Sequence, residues 1–271
     1  MVARAGGLPS YTTRHTHKPA SDAGAPERDT MRDSRPSPNH TASYEEIAAE
    51  YYDERHITSR NFDAALSALA GSWTCPLPAR GPVLELGAGR GTVERYCGVP
   101  EHRVVQSDLS WSMLSLQPRE PCAQRTQCDA GRLPFADAAF SGVAAFLFDP
   151  YNTPPVYHEI ARVLADRGVF VGSLPHHTWG CALRRLRGHS LNTARFVTSS
   201  GRRIELASFL SPHHEIHARL RRCGLKLISD PDLCLPTGDK IISPDIMDAA
   251  RALGLEPHQV PVVKLIVARK G

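Results

Sequence analysis

Apolar residues follow two rhythms along this chain. Tyr44, Ile47, Ala48 and Tyr51 recur at helical spacing, as do Phe62, Ala65, Leu66 and Leu69, which predicts two amphipathic helices ahead of any strand. Ser43-Tyr44-Glu45-Glu46 has the capping-box pattern and sets the first helix to begin at Ser43, and Gly71 can end the second. From Val83 the rhythm changes. Val83 to Leu86 reads as a short buried strand, Val104-Val105-Gln106-Ser107 as a second, and Phe140 to Phe148 as a central parallel strand, because its apolar run is nearly continuous. Val156, Ile160, Val163 and Leu164 then mark a helix ending near Gly168, and Val169 to Leu174 form the next strand. Strands alternating with helices require right-handed crossovers, hence an open α/β sheet with helices on both faces.

The later chain is less regular. About 35 residues, 176–210, separate the fifth strand from a helix starting near Ser211-Pro212, long enough to read as a functional insertion on the substrate side. Within it, Ala194 to Val197 and Arg203 to Leu206 flank Ser199-Ser200-Gly201 as a hairpin. Pro212 to Cys223 reads as a helix, Leu225 to Ile228 as a strand, Ser243-Pro244 to Leu253 as a helix and Val260 to Ala268 as the final strand. Residues 1–41, rich in Pro, Ser, Thr, His and Arg without periodicity, read as a disordered tail. One domain, 42–271, remains, with residues 42–72 as a helical cap.

A length of 271 residues, with 41% hydrophobic content, suits one domain of moderate size plus a tail. A net charge of +4 is too mild to imply nucleic acid, and no apolar run approaches the roughly 18 residues of a membrane span. The first twenty residues lack the apolar middle of a secretory signal. Seven scattered cysteines without a close CxxC pair favour reduced thiols in a cytoplasmic protein over disulfides or zinc. His15 and His17 read as solvated, so no metal is expected.

Candidate chemistry begins at Gly87-Ala88-Gly89-Arg90-Gly91, directly after the first strand and ahead of a helix whose free N–H groups would face a bound polar group. Asp108 ends the second strand about twenty residues on, the spacing that sets a carboxylate beside a ribose. Leu109 and Met113 follow it, placed to flank a base. Asp129 could accept from an adenine amino group or serve as a turn residue. Every one of these positions falls on the carboxyl edge of the sheet, where such folds bind ligands. A dinucleotide fingerprint would want glycine at position 92, and the chain has Thr92.

The spelling Glu85-x-Gly87-x-Gly89-x-Gly91, with Asp108 and Asp129, resembles the class I S-adenosylmethionine-dependent methyltransferases, over roughly residues 43–175. Ile47-Ala48-x-x-Tyr51, Asp108-x-Ser110-x-x-Met113-Leu114, Asp129-Ala130-x-x-Leu133-Pro134-Phe135 and Glu159 to Leu164 add to the likeness. Tyr52 stands where the family usually has Asp, Cys128 where glycine is common and Ser141 where Asp is usual, and Ala165 to Gly168 replaces the usual K-P-G-G. The resemblance implies a Rossmann-like seven-stranded sheet, parallel except for a last strand tucked between the fifth and sixth. It implies S-adenosylmethionine as methyl donor. Glu85, Gly87, Ala88, Gly89 and Gly91 would hold the methionine portion, Asp108 the ribose, and Asp129 and Ala130 the adenine, with Tyr51, Leu109 and Met113 completing the cofactor site.

Methyl transfer depends chiefly on alignment of nucleophile and methyl carbon, and an oxygen nucleophile can also call for a base. Asp149, after the fourth strand, and His176 and His177, after the fifth, are the candidates. Asp149-Pro150-Tyr151 is similar to the D-P-P-Y of amino-methylating nucleic-acid enzymes, without its second proline. Arginines 184, 185, 187, 195, 202, 203, 219, 221 and 222 outweigh the acids around them and could attract an anion, or form a solvated surface. The expected substrate is a small metabolite, acidic if the arginines face the pocket, methylated on oxygen or nitrogen. Alternatives are a nucleic-acid or protein methyltransferase and a non-catalytic cofactor-binding regulator.

Overall fold

The computed structural model describes residues 39–70, 73–116 and 124–271, all within one unit, Ser34–Gly271. The expected tail lies outside the described residues except for its last three, 39–41, which are helical, and Gly71 also lies outside. Helix α1 spans Asn39–Tyr51 and α2 Ile57–Ala70. Ser43 is therefore inside a helix rather than at its cap, and the capping-box expectation fails there.

The sheet and its coverings then follow in turn: β1 (Val83–Leu86), α3 (Val93–Cys97), β2 (Val104–Asp108), α4 (Trp111–Leu114), β3 (Gln124–Gln127), β4 (Phe140–Ala145), α5 (Pro154–Val163) and β5 (Leu164–Pro175). Next are α6 (His177–Leu186), β6 (Thr193–Val197), β7 (Arg203–Ala207), α7 (His213–Arg222), β8 (Leu225–Ser229), β9 (Asp232–Cys234), α8 (Pro244–Leu253) and β10 (Pro261–Lys270). The strand order is β3-β2-β1-β4-β5-β10-β8, with the short β9 also paired to β10, and β6 and β7 form a separate hairpin. Strands β1 to β5 run parallel, and β10 lies antiparallel between β5 and β8, as the resemblance implies. The sheet is thus a seven-stranded Rossmann-like sheet with one added strand.

Alternation builds the core. Successive strand residues point to opposite faces, so Val83, Ala144, Val169, Val171, Leu265 and Val267 pack with α2, α3 and α8. Leu84, Leu86, Val143, Ala145, Phe170, Ile266 and Ala268 pack with α5 and α7 on the other side. Helix α5 stops at Val163, five residues short of the expected Gly168, because Leu164 turns extended and pairs with Phe140. The register then slips before Gly142 pairs with Val169.

Strand β4 also ends early. Leu147 adopts a left-handed φ of 51°, which a branched-chain residue rarely takes without support. Its N–H donates to Ser173 Oγ at 3.0 Å, the Phe148 N–H donates to Ser173 O at 3.0 Å, and the Phe148 ring is fully buried. That held turn brings Asp149 back over the carboxyl edge.

A third cluster unites α1 with the β6–β7 hairpin through Ile47, Phe196, Ile204 and Leu206, with Tyr44 and Tyr51 packed against it. Arg202 pairs with Glu46 at 2.7 Å, and Ser199 Oγ donates to Glu50 at 3.0 Å. On α2, the buried Asn61 donates to Ile241 O at 2.6 Å and accepts from the Ser243 N–H at 2.8 Å, joining the cap to the start of α8. Asn61→Ala leaves both backbone groups without that partner, so urea unfolding should show a loss of about 1–3 kcal/mol. A change below about 0.5 kcal/mol would mean water replaces the side chain without cost.

Candidate functional site

A cavity of about 1000 Å³ opens above the carboxyl ends of β1, β2 and β4, under α1, the loop into α2 and the β6–β7 hairpin. Of the residues expected to bind a cofactor, Tyr51, Gly87, Ala88, Asp108, Leu109, Met113, Asp129 and Ala130 line it. Glu85, Gly89 and Gly91 do not, and for Glu85 and Gly89 the departure has a physical reason.

Glu85 is 2% exposed and faces inward. Its Oε1 accepts from the Thr92 N–H at 2.7 Å, Thr92 Oγ1 at 2.8 Å and the Val93 N–H at 3.1 Å, and Gln106 approaches Oε2 at 3.4 Å. These are the first N–H groups of α3, which have no partner within the helix. Burial raises the Glu85 pKa against these bonds. It ties the end of the glycine loop to β1 and does not line the cavity.

The glycines also act differently from the open cradle expected. Gly87 and Gly89 have φ of 61° and 48°, and a Cβ on either would collide with a tyrosine hydroxyl, Tyr151 over Gly87 and Tyr52 over Gly89. Tyr151 donates to Leu86 O at 2.8 Å. The Tyr52 hydroxyl accepts from the Arg90 N–H at 3.3 Å, and the Arg90 guanidinium lies 4.3 Å from the Tyr52 ring centre. Burial keeps these phenols protonated, with Tyr52 pushed up to about 12. Tyr52 is the residue at which the chain departs from the family's Asp, so the sequence did mark the place.

Asp108 sits at the end of β2 as expected. Its Oδ2 accepts from the Gly89 N–H at 3.0 Å and its Oδ1 from the Ser110 N–H at 2.9 Å, which leaves lone pairs on both oxygens. Burial raises its pKa despite these bonds. Asp129 forms a turn, accepting from the Gly131 N–H at 2.7 Å, while its chain still lines the cavity. Of the two roles weighed for it, the turn is the one the structure shows.

Asp149, the first candidate base, lines the cavity and is 8% exposed. Ser208 Oγ donates to its Oδ2, and Arg184 Nη2 donates to Ser208 Oγ at 2.6 Å. Arg184 is itself 7% exposed and also donates to the carbonyls of Leu191 and Ser208. Desolvation pushes the Asp149 carboxyl up to about 6, opposed by Ser208 and by the Arg184 charge. Neither Ser208 nor Arg184 could be assigned this part from sequence, because they meet Asp149 only through the fold of the insertion.

The two histidines are corrected. Neither His176 nor His177 lines the cavity. His176 caps α6, its Nδ1 accepting from the Thr178 N–H at 3.2 Å, and its Nε2 points to His213 and Asp232. Desolvation lowers its pKa to about 4. His177 Nδ1 lies 3.4 Å from Leu210 O and 3.5 Å from Cys181 Sγ.

Of the basic residues, Arg187 is spent on Asp245 and Asp248, at 2.6 and 2.8 Å, and Arg219 on Asn152, Ser211 and Glu215. Arg60, Arg195 and Arg203 reach the cavity wall, with Arg195 only 3.9 Å from Glu205 as its acidic neighbour.

Residues 83–168 match the family model of a methyltransferase domain. Among solved structures, a chain from the complex of the Haloferax volcanii Trm112 methyltransferase activator is 19% identical, with 83% of this chain and 96% of that chain covered at a TM-score of 0.59. An S-adenosylmethionine-dependent methyltransferase from Mesorhizobium loti is 18% identical, with 77% and 100% covered at 0.52. One from Methanosarcina mazei is 17% identical, with 72% and 94% covered at 0.51. No curated protein matches the chain by sequence. These likenesses carry the fold, and the matched segment contains β1, the glycine loop, Asp108, Asp129 and Asp149. The chain thus contains a segment that matches a methyltransferase-domain model, set in a fold shared with solved S-adenosylmethionine-dependent methyltransferases.

Proposed function

We propose that the chain transfers the methyl group of S-adenosylmethionine to an oxygen or nitrogen of a small metabolite, with anionic compounds favoured. The observation that carries this reading is the roofed cavity of about 1000 Å³. Pockets for small ligands run to about 1000 Å³, so this one has room for a cofactor and a small molecule, whereas a macromolecule would have to displace α1 or the hairpin. Arg60, Arg195 and Arg203 on its wall supply positive charge for an anion.

The fit to the cofactor rests on two features. Asp108 has lone pairs on both carboxylate oxygens for a diol, and the turn after β1 brings the backbone of Gly87 and Ala88 to the cavity wall. Bound S-adenosylmethionine would supply an activated methyl on a cationic sulfur. Asp108, Asp129 and Asp149 along the same wall favour that positive charge. Asp149 would take the proton of the acceptor, and Ser208 would hold the carboxylate in place. The packed α1 and hairpin would limit the access of water to the reacting groups.

Asp108→Ala and Gly89→Val should each weaken S-adenosylmethionine binding in calorimetry. Loss of charge-assisted bonds worth about 1.5–3 kcal/mol corresponds to roughly 10–150-fold for Asp108→Ala. Unchanged affinity in both variants would refute the cofactor assignment. Labelled-methyl transfer into a metabolite extract, read by mass spectrometry, tests turnover; binding without any S-adenosylhomocysteine release would favour a regulator.

Asp149 carries a separate consequence for stability. Its folded pKa of about 6 lies above the ordinary value of 3.8. The folded chain therefore holds the proton more tightly, and stability falls as pH rises from about 4 to about 6. Asp149→Asn removes this contribution, so above pH 6 the variant should gain on the wild type by roughly 2–3 kcal/mol in urea unfolding. A pH-independent difference between the two proteins would refute the shift.

A further inference from the structure

Three side chains outside the cavity converge on one point. His176 precedes α6, His213 opens α7 and Asp232 begins β9. The two Nε2 atoms are 3.1 Å apart, and Asp232 Oδ1 lies 3.3 Å from that of His176 and 3.7 Å from that of His213. A triangle with these sides has a point about 2.0 Å from all three corners, the bond length of zinc to imidazole nitrogen and carboxylate oxygen. The rings meet nearly perpendicular, at 85°.

Hydrogen bonding accounts for only part of this arrangement. His176 Nδ1 already accepts from the Thr178 N–H, so the proton of the neutral ring sits on Nε2. That single proton can go to His213 Nε2 at 3.1 Å or to Asp232 Oδ1 at 3.3 Å but not to both, so one proton does not account for all three groups. Two nitrogens and a carboxylate oxygen grouped this closely around one point match a cation better than a single proton.

We propose that His176 Nε2, His213 Nε2 and Asp232 Oδ1 form a site for a divalent transition-metal cation of the zinc type. Two imidazoles and one carboxylate suit zinc, and also cobalt or nickel, over calcium or magnesium. The His213 and Asp232 side chains are 38% and 43% exposed, so the fourth position is open to water. The neighbours set the outer shell. Lys264 Nζ donates to Asp232 Oδ1 at 2.8 Å and to the Asp230 carbonyl, and it lies 3.2 Å from Asp230 Oδ2. His217 Nε2 is 2.8 Å from Asp230 Oδ2. Lys264 orients the Asp232 carboxylate while its charge opposes a cation, and the second carboxylate, Asp230, offsets that charge. On loading, the His176 proton passes from Nε2 to Nδ1 and the cap bond from Thr178 is given up, so no charge is stranded on the ring.

None of the three ligands lines the cavity. The cation would act as a clamp joining α6, α7 and β9, and among the described residues this is the one His, Cys, Asp and Glu cluster with metal-holding geometry.

The test uses the full chain, freed of metal by a chelator and titrated with Co²⁺, with visible absorption and thermal unfolding as readouts. One Co²⁺ per chain at this site should give ligand-field bands, Zn²⁺ should displace it, and either ion should raise the unfolding temperature. His213→Ala and Asp232→Ala, checked for folding by circular dichroism, should each weaken binding by more than the roughly 10–100-fold expected from loss of an outer-shell partner. His214→Ala, adjacent and exposed, should leave binding unchanged. Absence of saturable binding overturns the site. So does binding that survives both His213→Ala and Asp232→Ala, which would place the cation elsewhere, as on His15 and His17.

Discussion

The site rests on a buried carboxylate that does not line the cavity. Glu85 gathers the Thr92 and Val93 N–H groups and the Thr92 hydroxyl onto one oxygen, which joins the end of β1 to the start of α3 across the glycine loop. An uncompensated charge at that depth would be costly, and these donors are what make it tolerable. With both ends of the loop held, the turn between them is fixed, and Asp108 completes it by accepting from the Gly89 N–H. The tyrosines can then close over the loop because its backbone does not move to meet them. Ligand-binding geometry here is a consequence of an internal salt-free network, with Tyr52 and Tyr151 as its outer layer.

Much of this was legible in the residues and part was not, and the division follows sequence distance. Most strands, the hairpin and the cavity-lining Asp108 and Asp129 are written in local patterns, whereas the antiparallel placement of β10 comes from the family resemblance and the short β9 is not expected. Gly87 and Gly89 fall in the loop as expected, yet what each meets depends on Tyr151 and Tyr52, which lie far away along the chain. No period or spacing announces such a contact. Leu147 gives the same lesson from the backbone: an apolar run reads as continuous strand, and only Ser173 on the neighbouring strand shows why it must turn.

His176 separates position from orientation. The sequence set it beyond the fifth strand, on the functional edge, and the structure agrees. The ring faces away because the residue must cap α6, and a capping side chain folds back on the N–H groups of its own helix. Asp149 meets no such demand. Its strained approach through Leu147 leaves the carboxylate free to face the cavity, where Ser208 and Arg184 receive it. Two titratable residues at equivalent strand ends thus diverge through the local needs of the chain that follows each.

Helix α6 connects these two outcomes. His176 caps one end, and Arg184 lies eight residues further along, about 12 Å at helical rise. Between them Trp179 donates to Val262 O at 2.8 Å and the Thr178 cap holds the first turn, so the helix is fixed on β10 before it reaches the cavity. Arg184 then delivers Ser208 to Asp149. One short helix therefore carries both residues: the histidine holds its first turn, and the arginine eight residues on reaches the buried carboxylate through Ser208.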